Sequence, residues 1–210
     1  MREPVLFFDF GNVVGFFDYL RACERLAVGA GISAVQLRDD LVARGFANLL
    51  AEFESGRILP EAFSVRLMEM SSLSLDYPSF AEAWQDIFWP NEPVADLIAS
   101  LKAQDYRLYL GSNTNLLHAS FYRRQFARTL DLFDGFVLSY EVGHLKPARE
   151  FFEACVAVAG TPARSCIFID DVAENVEGAR NAGLTAIQYL DTPSLLTELA
   201  GVGVKVPPAP

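Results

Sequence analysis

Short apolar segments alternate with helical patterns through the second half of the chain, from about Asp105 onward. The apolar runs have the length and the side chains of strands, and the segments between them repeat their apolar residues at helical spacing. We predict strands at 106–111, 135–139, 165–169 and 184–189, and helices at 116–126, 149–159 and 172–182. Gly160 and Gly183 follow the last two helices, where glycine commonly ends a helix. With a further strand at 5–8, the pattern predicts an α/β fold with a doubly wound, Rossmann-like parallel sheet of at least five strands.

Two of the predicted strands end on carboxylates. Val5–Phe8 is followed by Asp9, and Ile167–Ile169 is followed by Asp170 and Asp171. An aspartate after a strand is often only a turn residue or a helix cap. In an open parallel sheet, however, ligands bind above the carboxyl ends of the strands, and carboxylates that repel each other there favour a bound cation. The two strand ends together predict a Mg²⁺-type site in which one aspartate can also attack an electrophile.

The segment from about 16 to 93 has a different pattern. Its apolar residues recur mostly at i, i+3 and i+4, which favours amphipathic helices. We predict helices at 19–30, 33–44, 47–55, 60–70 and 79–88, and no strand. A helical block inserted after the first strand is well placed to cover the strand ends. We therefore expect an α/β core domain of residues 1–15 and 94–210, and a small α-helical cap domain of residues 16–93.

The composition limits the classes of partner. The 210 residues carry a formal charge of −10, which argues against nucleic acid and anionic membranes as partners. Three widely spaced cysteines without a CxxC pair predict neither a zinc cluster nor a disulfide framework. The sequence has no signal-peptide pattern and no apolar stretch of membrane-spanning length. We expect a cytoplasmic protein with reduced core cysteines, as a monomer or weak homodimer.

Polar groups of other kinds follow further predicted segments. Ser112 and Asn113 come after the strand at 106–111. They offer a hydroxyl, an amide and backbone N–H groups near the start of a helix, which suits an anion. Lys146 lies in a later loop and offers a positive charge. A candidate nucleophile, an anion-binding segment, a cation and metal-binding oxygens are therefore all expected at one edge of the sheet.

Four motifs carry a resemblance to a known family. They are Asp9-Phe10-Gly11-Asn12-Val13, Leu110-Gly111-Ser112-Asn113-Thr114-Asn115, Leu145-Lys146-Pro147 with Phe151-Phe152, and Phe168-Ile169-Asp170-Asp171 with Asn175. In this order they closely resemble the haloacid dehalogenase-like (HAD) hydrolase superfamily, and the helical segment looks like its C1 cap. The Gly-Asn-Val form of the first motif and the run from Ser112 to His118 look most like the bacterial α-D-glucose-1-phosphate phosphatase group.

The resemblance implies a Mg²⁺-dependent phosphatase of a small phosphorylated metabolite, such as a sugar phosphate. It implies that Asp9 attacks phosphorus to form an aspartyl-phosphate, while Mg²⁺ and Lys146 neutralise the phosphoryl charge. The residues implied to bind substrate are Ser112, Asn113, Lys146 and His118, and the implied metal ligands are Asp9, the Gly11 carbonyl, Asp171 and Asp170. Asn175 would steady Lys146 or the metal loop. For His118, contact with substrate and simple packing are equally open.

One position departs from the family pattern. Many family phosphatases carry a second aspartate where this chain has Gly11, and that aspartate protonates the leaving oxygen and then activates water. General acid–base help is typically worth about two to four decades in rate, so its loss favours good leaving groups such as anomeric or acyl phosphates. We expect water or a cap residue to supply the proton. Asp18 is the nearest acidic candidate in sequence, and we interpret Arg57 as a solvated turn residue.

Two other interpretations stay open. A 2-haloacid dehalogenase also lacks the second aspartate, but that branch needs no metal, and the Asp170-Asp171 pair favours phosphoryl transfer. A non-catalytic HAD protein that binds a phosphometabolite would explain Gly11. The presence of Asp9, Lys146 and Asp171 argues against that interpretation.

Overall fold

The computed structural model describes residues 3–206. Its strands are β1 (Val5–Phe8), β2 (Gly15–Phe17), β3 (Phe88–Pro90), β4 (Arg107–Ser112), β5 (Gly135–Leu138), β6 (Cys166–Asp170) and β7 (Thr185–Gln188). Five of them form a parallel sheet in the order β5-β4-β1-β6-β7. The predicted doubly wound sheet of at least five strands is confirmed.

The helices fall into two groups. Those before β3 are α1 (Tyr19–Leu26), α2 (Ala34–Ala43), α3 (Phe46–Glu54), α4 (Pro60–Ser71) and α5 (Tyr77–Gln85), and we call this group the helical insertion. Those after β3 are α6 (Glu92–Lys102), α7 (Leu116–Gln125), α8 (Ala127–Leu130), α9 (Ser139–Val142), α10 (Arg149–Ala159), α11 (Ala173–Asn181) and α12 (Thr192–Gly201). Within residues 3–206, no helix is both long and apolar enough to cross a membrane.

Strand β1 lies at the centre of the sheet, between β4 and β6. Its side chains alternate between the two faces: Leu6 and Phe8 pack into one core cluster, and Val5 and Phe7 pack into the other. Because both faces are covered, the strand is apolar at every position. The first cluster continues into the helical insertion, which packs on the core through helices α7 and α9.

Glycines determine where several helices end. Gly160 follows α10 with a φ of 58°, and its N–H donates to the carbonyls of the last turn. The helix predicted at 19–30 is too long, since α1 ends at Leu26. Gly29 and Gly31, with φ of 76° and 72°, adopt left-handed backbone conformations that do not continue a helix.

The expectation that the segment 16–93 contains no strand is wrong. Strands β2 and β3 pair antiparallel, with Phe16 opposite Trp89, where the chain enters and leaves the insertion. The helix predicted at 79–88 accordingly ends at Gln85, and Phe88 belongs to β3. Each strand has only three residues, which is too short for periodicity to identify. Helices α6, α8, α9 and α12 are also additions to the predicted elements.

The cysteines are part of the core. Cys23, Cys155 and Cys166 are all buried with free thiols. The interpretation of these residues as core thiols is confirmed.

Candidate active site

Asp9 stands at the carboxyl end of β1. Its backbone N–H donates to the Ile169 carbonyl at 2.8 Å, which extends the pairing with β6 by one residue. Its Oδ1 accepts a hydrogen bond of 2.7 Å from the backbone N–H of Phe10. No residue within 3–206 donates a hydrogen bond to its Oδ2. One carboxylate oxygen is thus held by the protein, while the other is available to a metal or to phosphorus.

Lys146 joins two strand ends through its buried ammonium group. Its Nζ lies 2.8 Å from Oδ1 of Asp9 and 2.6 Å from Oδ2 of Asp170. It also donates a 3.1 Å hydrogen bond to the Gly111 carbonyl at the end of β4. The side chain is 1% exposed, so this cation has little freedom to move. The structure therefore brings together the predicted nucleophile and the predicted cation.

The side chain of Asn113 holds the backbone of Lys146. Its Nδ2 donates to the Lys146 carbonyl at 3.1 Å, and its Oδ1 accepts from the Lys146 N–H at 2.8 Å. This reciprocal pair connects the loop after β4 to the loop before α10. The amide that sequence reasoning assigned to substrate is thus used to position the lysine. A contact of Asn113 with substrate would have to come from other atoms of the residue.

Both carboxylate oxygens of Asp170 accept hydrogen bonds from the protein. Besides Lys146 on Oδ2, its Oδ1 accepts hydrogen bonds from the Val172 N–H at 2.9 Å and from Asn175 Nδ2 at 3.0 Å. Asn175 therefore steadies the loop after β6 through Asp170. Both oxygens of Asp170 are engaged, which makes it better suited to positioning Lys146 than to ligating a metal.

Asp171 completes an acidic cluster. It is half-buried and accepts a 3.0 Å hydrogen bond from Asn12 Nδ2 on its Oδ2. One carboxylate oxygen from each of Asp9, Asp170 and Asp171 lies within 4.8 Å of the others. Counted as ionised groups, three carboxylates against Lys146 leave a formal charge of −2. A cluster of hard oxygen donors with this charge fits a divalent cation such as Mg²⁺.

Burial changes the acidity of these groups. It raises the pKa of Asp9 to about 7 even though the charge of Lys146 opposes the shift, and it also raises the pKa of Asp171. Burial lowers the pKa of Lys146, but the carboxylates of Asp9 and Asp170 outweigh it and raise that pKa overall. A bound divalent cation would favour the ionised form of Asp9. The electrostatics of the cluster therefore favour the binding of a cation.

A cavity of about 50 Å³ lies between the strand ends and the helical insertion. Its lining includes Gly11, Ser112, Asn113, His118 and Glu54, the last of these from α3. The hydroxyl of Ser112 donates weakly to the Asn113 carbonyl at 3.3 Å. The structure thus places predicted residues of the first two motifs, together with His118, around one space.

The space beside Gly11 is occupied by an aromatic ring. A Cβ added at this position would lie 2.9 Å from Cε1 of Phe17. Phe17 belongs to β2 and lines the same cavity. A longer side chain at position 11 would therefore require this ring to shift.

His118 is held by packing and by hydrogen bonds. Its Nε2 lies 3.1 Å from the Trp84 carbonyl and its Nδ1 lies 3.0 Å from Asn115 Nδ2. The ring stacks on the Trp84 ring at a centroid distance of 5.4 Å. Burial lowers the pKa of His118 to about 3, so the imidazole is neutral at pH 7. These contacts anchor helix α7 to α5, and the edge of the ring that lines the cavity remains the part that could touch substrate.

Sequence reasoning missed Glu54 and considered two other residues of the segment. Asp18 is exposed and caps α1 by accepting a 2.8 Å hydrogen bond from the Leu20 N–H. Arg57 is exposed and donates to Ser55 Oγ at 2.9 Å. Glu54 instead is partly buried and lines the cavity. Its position at the end of an apolar helix, just before a turn, was the only signal available in the sequence.

The sheet, its order and the groups at its carboxyl edge together define a class of hydrolase. A family model of the haloacid dehalogenase-like hydrolases matches residues 8–183. The chain belongs to this family. The resemblance inferred from the four motifs is thus confirmed.

Several known proteins are similar to the chain. A D-ribitol-5-phosphate phosphatase from Bacteroides thetaiotaomicron is 26% identical over 86% of this chain and 89% of its own length. A sesquiterpene phosphatase from Aspergillus oryzae is 30% identical over 70% of this chain and 76% of its own length. A crystal structure of a HAD family enzyme from B. thetaiotaomicron, in a magnesium complex, superimposes with a TM-score of 0.73 at 25% identity, covering 89% of this chain and 93% of that one.

Proposed function

We propose that the protein is a Mg²⁺-dependent phosphatase that removes phosphate from a small phosphorylated metabolite through an aspartyl-phosphate on Asp9. The observation that carries this proposal is the Lys146 bridge: a buried ammonium lies 2.8 Å from the Asp9 carboxylate, at the edge of a cluster with an excess of negative charge. Relatives named as phosphatases and a similar enzyme with bound magnesium support the same reaction.

The metal would be held by Asp9, Asp171 and the backbone carbonyl of Gly11. Among residues 3–206, Asp9 and Asp171 each have a carboxylate oxygen without a hydrogen-bond donor, whereas both oxygens of Asp170 have donors. We therefore propose that Asp170 positions Lys146 and affects the metal only indirectly. When bound, Mg²⁺ supplies charge neutralisation for the phosphoryl oxygens and favours the ionised form of Asp9.

The protein groups supply the geometry of the attack. A carboxylate is a weak nucleophile towards a phosphate dianion because the two repel each other. Lys146, fixed by Asp170 and by the Gly111 carbonyl, places a positive charge beside Asp9 that offsets this repulsion. Ser112, at the end of β4, offers its hydroxyl to a phosphate oxygen in the cavity. These fixed groups require little rearrangement when charge develops in the transition state.

We propose that the helical insertion acts as a cap over this site. Tyr19 and Glu54 of the insertion line the cavity together with strand-end residues. The cavity of about 50 Å³ is much smaller than the roughly 300–1,000 Å³ of typical small-molecule pockets. Entry of a metabolite therefore requires the insertion to move away from the strand ends.

The direct test is phosphate release from a panel of sugar phosphates, alkyl phosphates, acyl phosphates and nucleotides, with Mg²⁺ or with EDTA. Asp9→Asn is the matched control because it is nearly isosteric and lacks the nucleophilic carboxylate. We expect release that requires Mg²⁺ and is lost in Asp9→Asn while the circular dichroism spectrum is unchanged. Release that persists in Asp9→Asn, or that is absent for every substrate, would contradict the proposal, and 2-haloacids would then be assayed.

A further inference from the structure

The proposed reaction needs a proton at two points, and Gly11 cannot provide it. Loss of an alkoxide from phosphorus requires protonation of the leaving oxygen, and attack of water on the aspartyl-phosphate requires removal of a proton. Position 11 has no side chain, and the adjacent space contains the Phe17 ring. A side chain that donates the proton must therefore come from another element that borders the cavity.

Glu54 is the carboxylic acid that borders this cavity. Among the described residues that line it, the other titratable side chains are Tyr19 and His118. Burial raises the pKa of Tyr19 well above its ordinary value, and the His118 imidazole is neutral with both ring nitrogens engaged. Neither can exchange protons readily near pH 7. Glu54 is left as the group with suitable chemistry.

The position of Glu54 is set by the insertion. It is the last residue of α3, and its Oε1 accepts a hydrogen bond from the Tyr19 hydroxyl at 3.5 Å. Ser55 after it is buried and donates to the Ala51 carbonyl of α3 at 2.7 Å, and the turn approaches the backbone of Tyr140 closely at Gly56. Among residues 3–206, Tyr19 is the one hydrogen-bond partner of this side chain and lies at the limit of hydrogen-bond length. The Glu54 carboxyl group therefore keeps the freedom to approach a substrate oxygen.

We infer that Glu54 is the general acid and general base of this phosphatase, delivered from the helical insertion in place of a side chain at position 11. This inference rests on the proposed function. In the first step an oxygen of Asp9 bonds to phosphorus, the bond from phosphorus to the leaving oxygen breaks, and that oxygen takes the proton of Glu54 to leave as an alcohol. In the second step Glu54 takes a proton from water as the water oxygen bonds to phosphorus. The bond to Asp9 then breaks, which returns the aspartate carboxylate, phosphate and protonated Glu54.

The surroundings of Glu54 suit both steps. Burial raises its pKa to about 7, the hydrogen bond from Tyr19 opposes that rise, and the charges of Asp9 and Lys146 act in opposite directions. A pKa near the working pH lets one carboxyl group both donate and accept a proton. Tyr140 of α9 also lies beside the α3–α4 turn. Its hydroxyl donates to Glu141 and not to Glu54.

The test compares Glu54→Gln with the wild type on two kinds of substrate. One is p-nitrophenyl phosphate, whose leaving group needs no proton, and the other is the alkyl phosphate of the panel that the wild type hydrolyses fastest. We expect Glu54→Gln to lose about a hundred- to ten-thousand-fold in kcat/KM on the alkyl phosphate. With p-nitrophenyl phosphate we expect the phosphorylated enzyme to accumulate, seen as an added phosphoryl mass, because the second step lacks its base.

The pH profile separates a catalytic role from a structural one. For the wild type, kcat/KM on the alkyl phosphate should fall above about pH 7 as Glu54 loses its proton. This decrease forms the alkaline limb of the pH profile, and Glu54→Gln should lack this limb. Tyr19→Phe removes the hydrogen bond that lowers the pKa of Glu54, so it should move the limb to higher pH. Glu52→Gln is the matched control, since Glu52 lies on the same helix but pairs with Arg66 on the surface, and it should keep the wild-type rate and profile.

The outcomes distinguish this inference from the proposed function. If the wild type is active and depends on Asp9, but Glu54→Gln keeps its rate on the alkyl phosphate or keeps the limb, Glu54 is not the acid–base residue. An equal loss on both substrates without a phosphorylated enzyme would also overturn the inference. If Glu54→Gln fails to fold, an unmoved limb in Tyr19→Phe overturns it. A wild type without phosphatase activity would overturn the proposed function itself.

Discussion

At the scale of single residues, Lys146 has the largest effect on the site. It is nearly inaccessible and contacts the carboxylates of Asp9 and Asp170 at the same time. Removing one member of a buried ion pair leaves its partner charged in a medium of low polarity, which costs far more than loss of a surface pair. The same residue is therefore expected to determine both activity and stability.

We predict that Lys146→Met abolishes turnover and lowers the free energy of unfolding by about 3–5 kcal/mol. Lys102→Met is the control, because Lys102 pairs with Asp134 at the surface, with about a third of each side chain exposed. That variant should lose less than about 1 kcal/mol. Urea denaturation measures both values. Similar losses in the two variants would show that the buried Lys146 ion pairs contribute no more to the free energy of unfolding than a surface pair does.

His118 makes stability depend on pH. Its pKa is about 3 in the folded protein and near 6.5 when the ring is exposed by unfolding. Between these values the unfolded chain binds the extra proton, so the stabilisation present above pH 6.5 is lost as the pH falls, by up to about 1.4 kcal/mol per pH unit. We predict that His118→Gln is less sensitive to acid than the wild type.

Urea denaturation of both proteins between pH 7 and pH 5 measures this difference. Asp9 and Glu54, whose pKa values are raised, titrate in both proteins and cancel in the comparison. A stability difference between wild type and His118→Gln that stays constant over this range would contradict the prediction.

At the scale of elements, the turn between α3 and α4 connects the insertion to the core. Gly56 in this turn has a φ of 69°, and an added Cβ would overlap the Tyr140 carbonyl oxygen of α9. The close approach of two backbones therefore requires a glycine here. Because Glu54 is two residues away, the same approach also determines how far α3 reaches into the cavity.

We predict that Gly56→Ala destabilises the protein by more than the cost of its left-handed backbone, which is about 1–2 kcal/mol, and that it lowers kcat/KM. Gly29→Ala is the matched control, since Gly29 has a φ of 76° but no atom within 4 Å of an added Cβ. It should lose only the conformational cost and keep its activity. Equal losses of stability and activity in the two variants would refute a specific role for the α3–α4 turn.

The elements also differ in how readily the sequence predicts them. Helix α10 matches its prediction at both ends because apolar spacing and Gly160 give independent local signals. The β2–β3 pair was not predicted, since its partners are short and lie far apart in the chain. Asp9, Lys146 and Asp171 could be predicted because each belongs to a contiguous motif beside a strand or loop. Glu54 has no such motif, and only packing of the insertion brings it to the cavity.

At the scale of the whole molecule, three carboxylates meet at one edge of the sheet of an acidic chain. The chain carries a formal charge of −10, and the carboxylates of Asp9, Asp170 and Asp171 converge at the strand ends. Lys146 offsets part of their mutual repulsion, and a bound cation would offset the remainder. A ligand that binds only the folded state stabilises it by mass action.

We predict that Mg²⁺ at about a hundred times its Kd raises the free energy of unfolding by about 2.7 kcal/mol, and Tm by about 5–10 °C. Asp171→Asn should reduce this shift sharply because it removes a proposed ligand. Asp39→Asn, on an exposed surface, should leave it unchanged. Thermal unfolding with Mg²⁺ and with EDTA measures the shift, and an equal shift in all three proteins would place the cation elsewhere.

The class of fold and most of the charged groups at the strand ends follow from the sequence without coordinates. Strand and helix periodicity, capping glycines and motifs beside strands are local properties, and parallel strands necessarily present their carboxyl ends at one edge. Only the tertiary structure decides that Asn113 holds the backbone of Lys146, that Phe17 occupies the space beside Gly11 and that Glu54 borders the cavity. Each of these contacts depends on packing between segments that are distant in the chain. Local sequence patterns do not determine how such segments pack against each other.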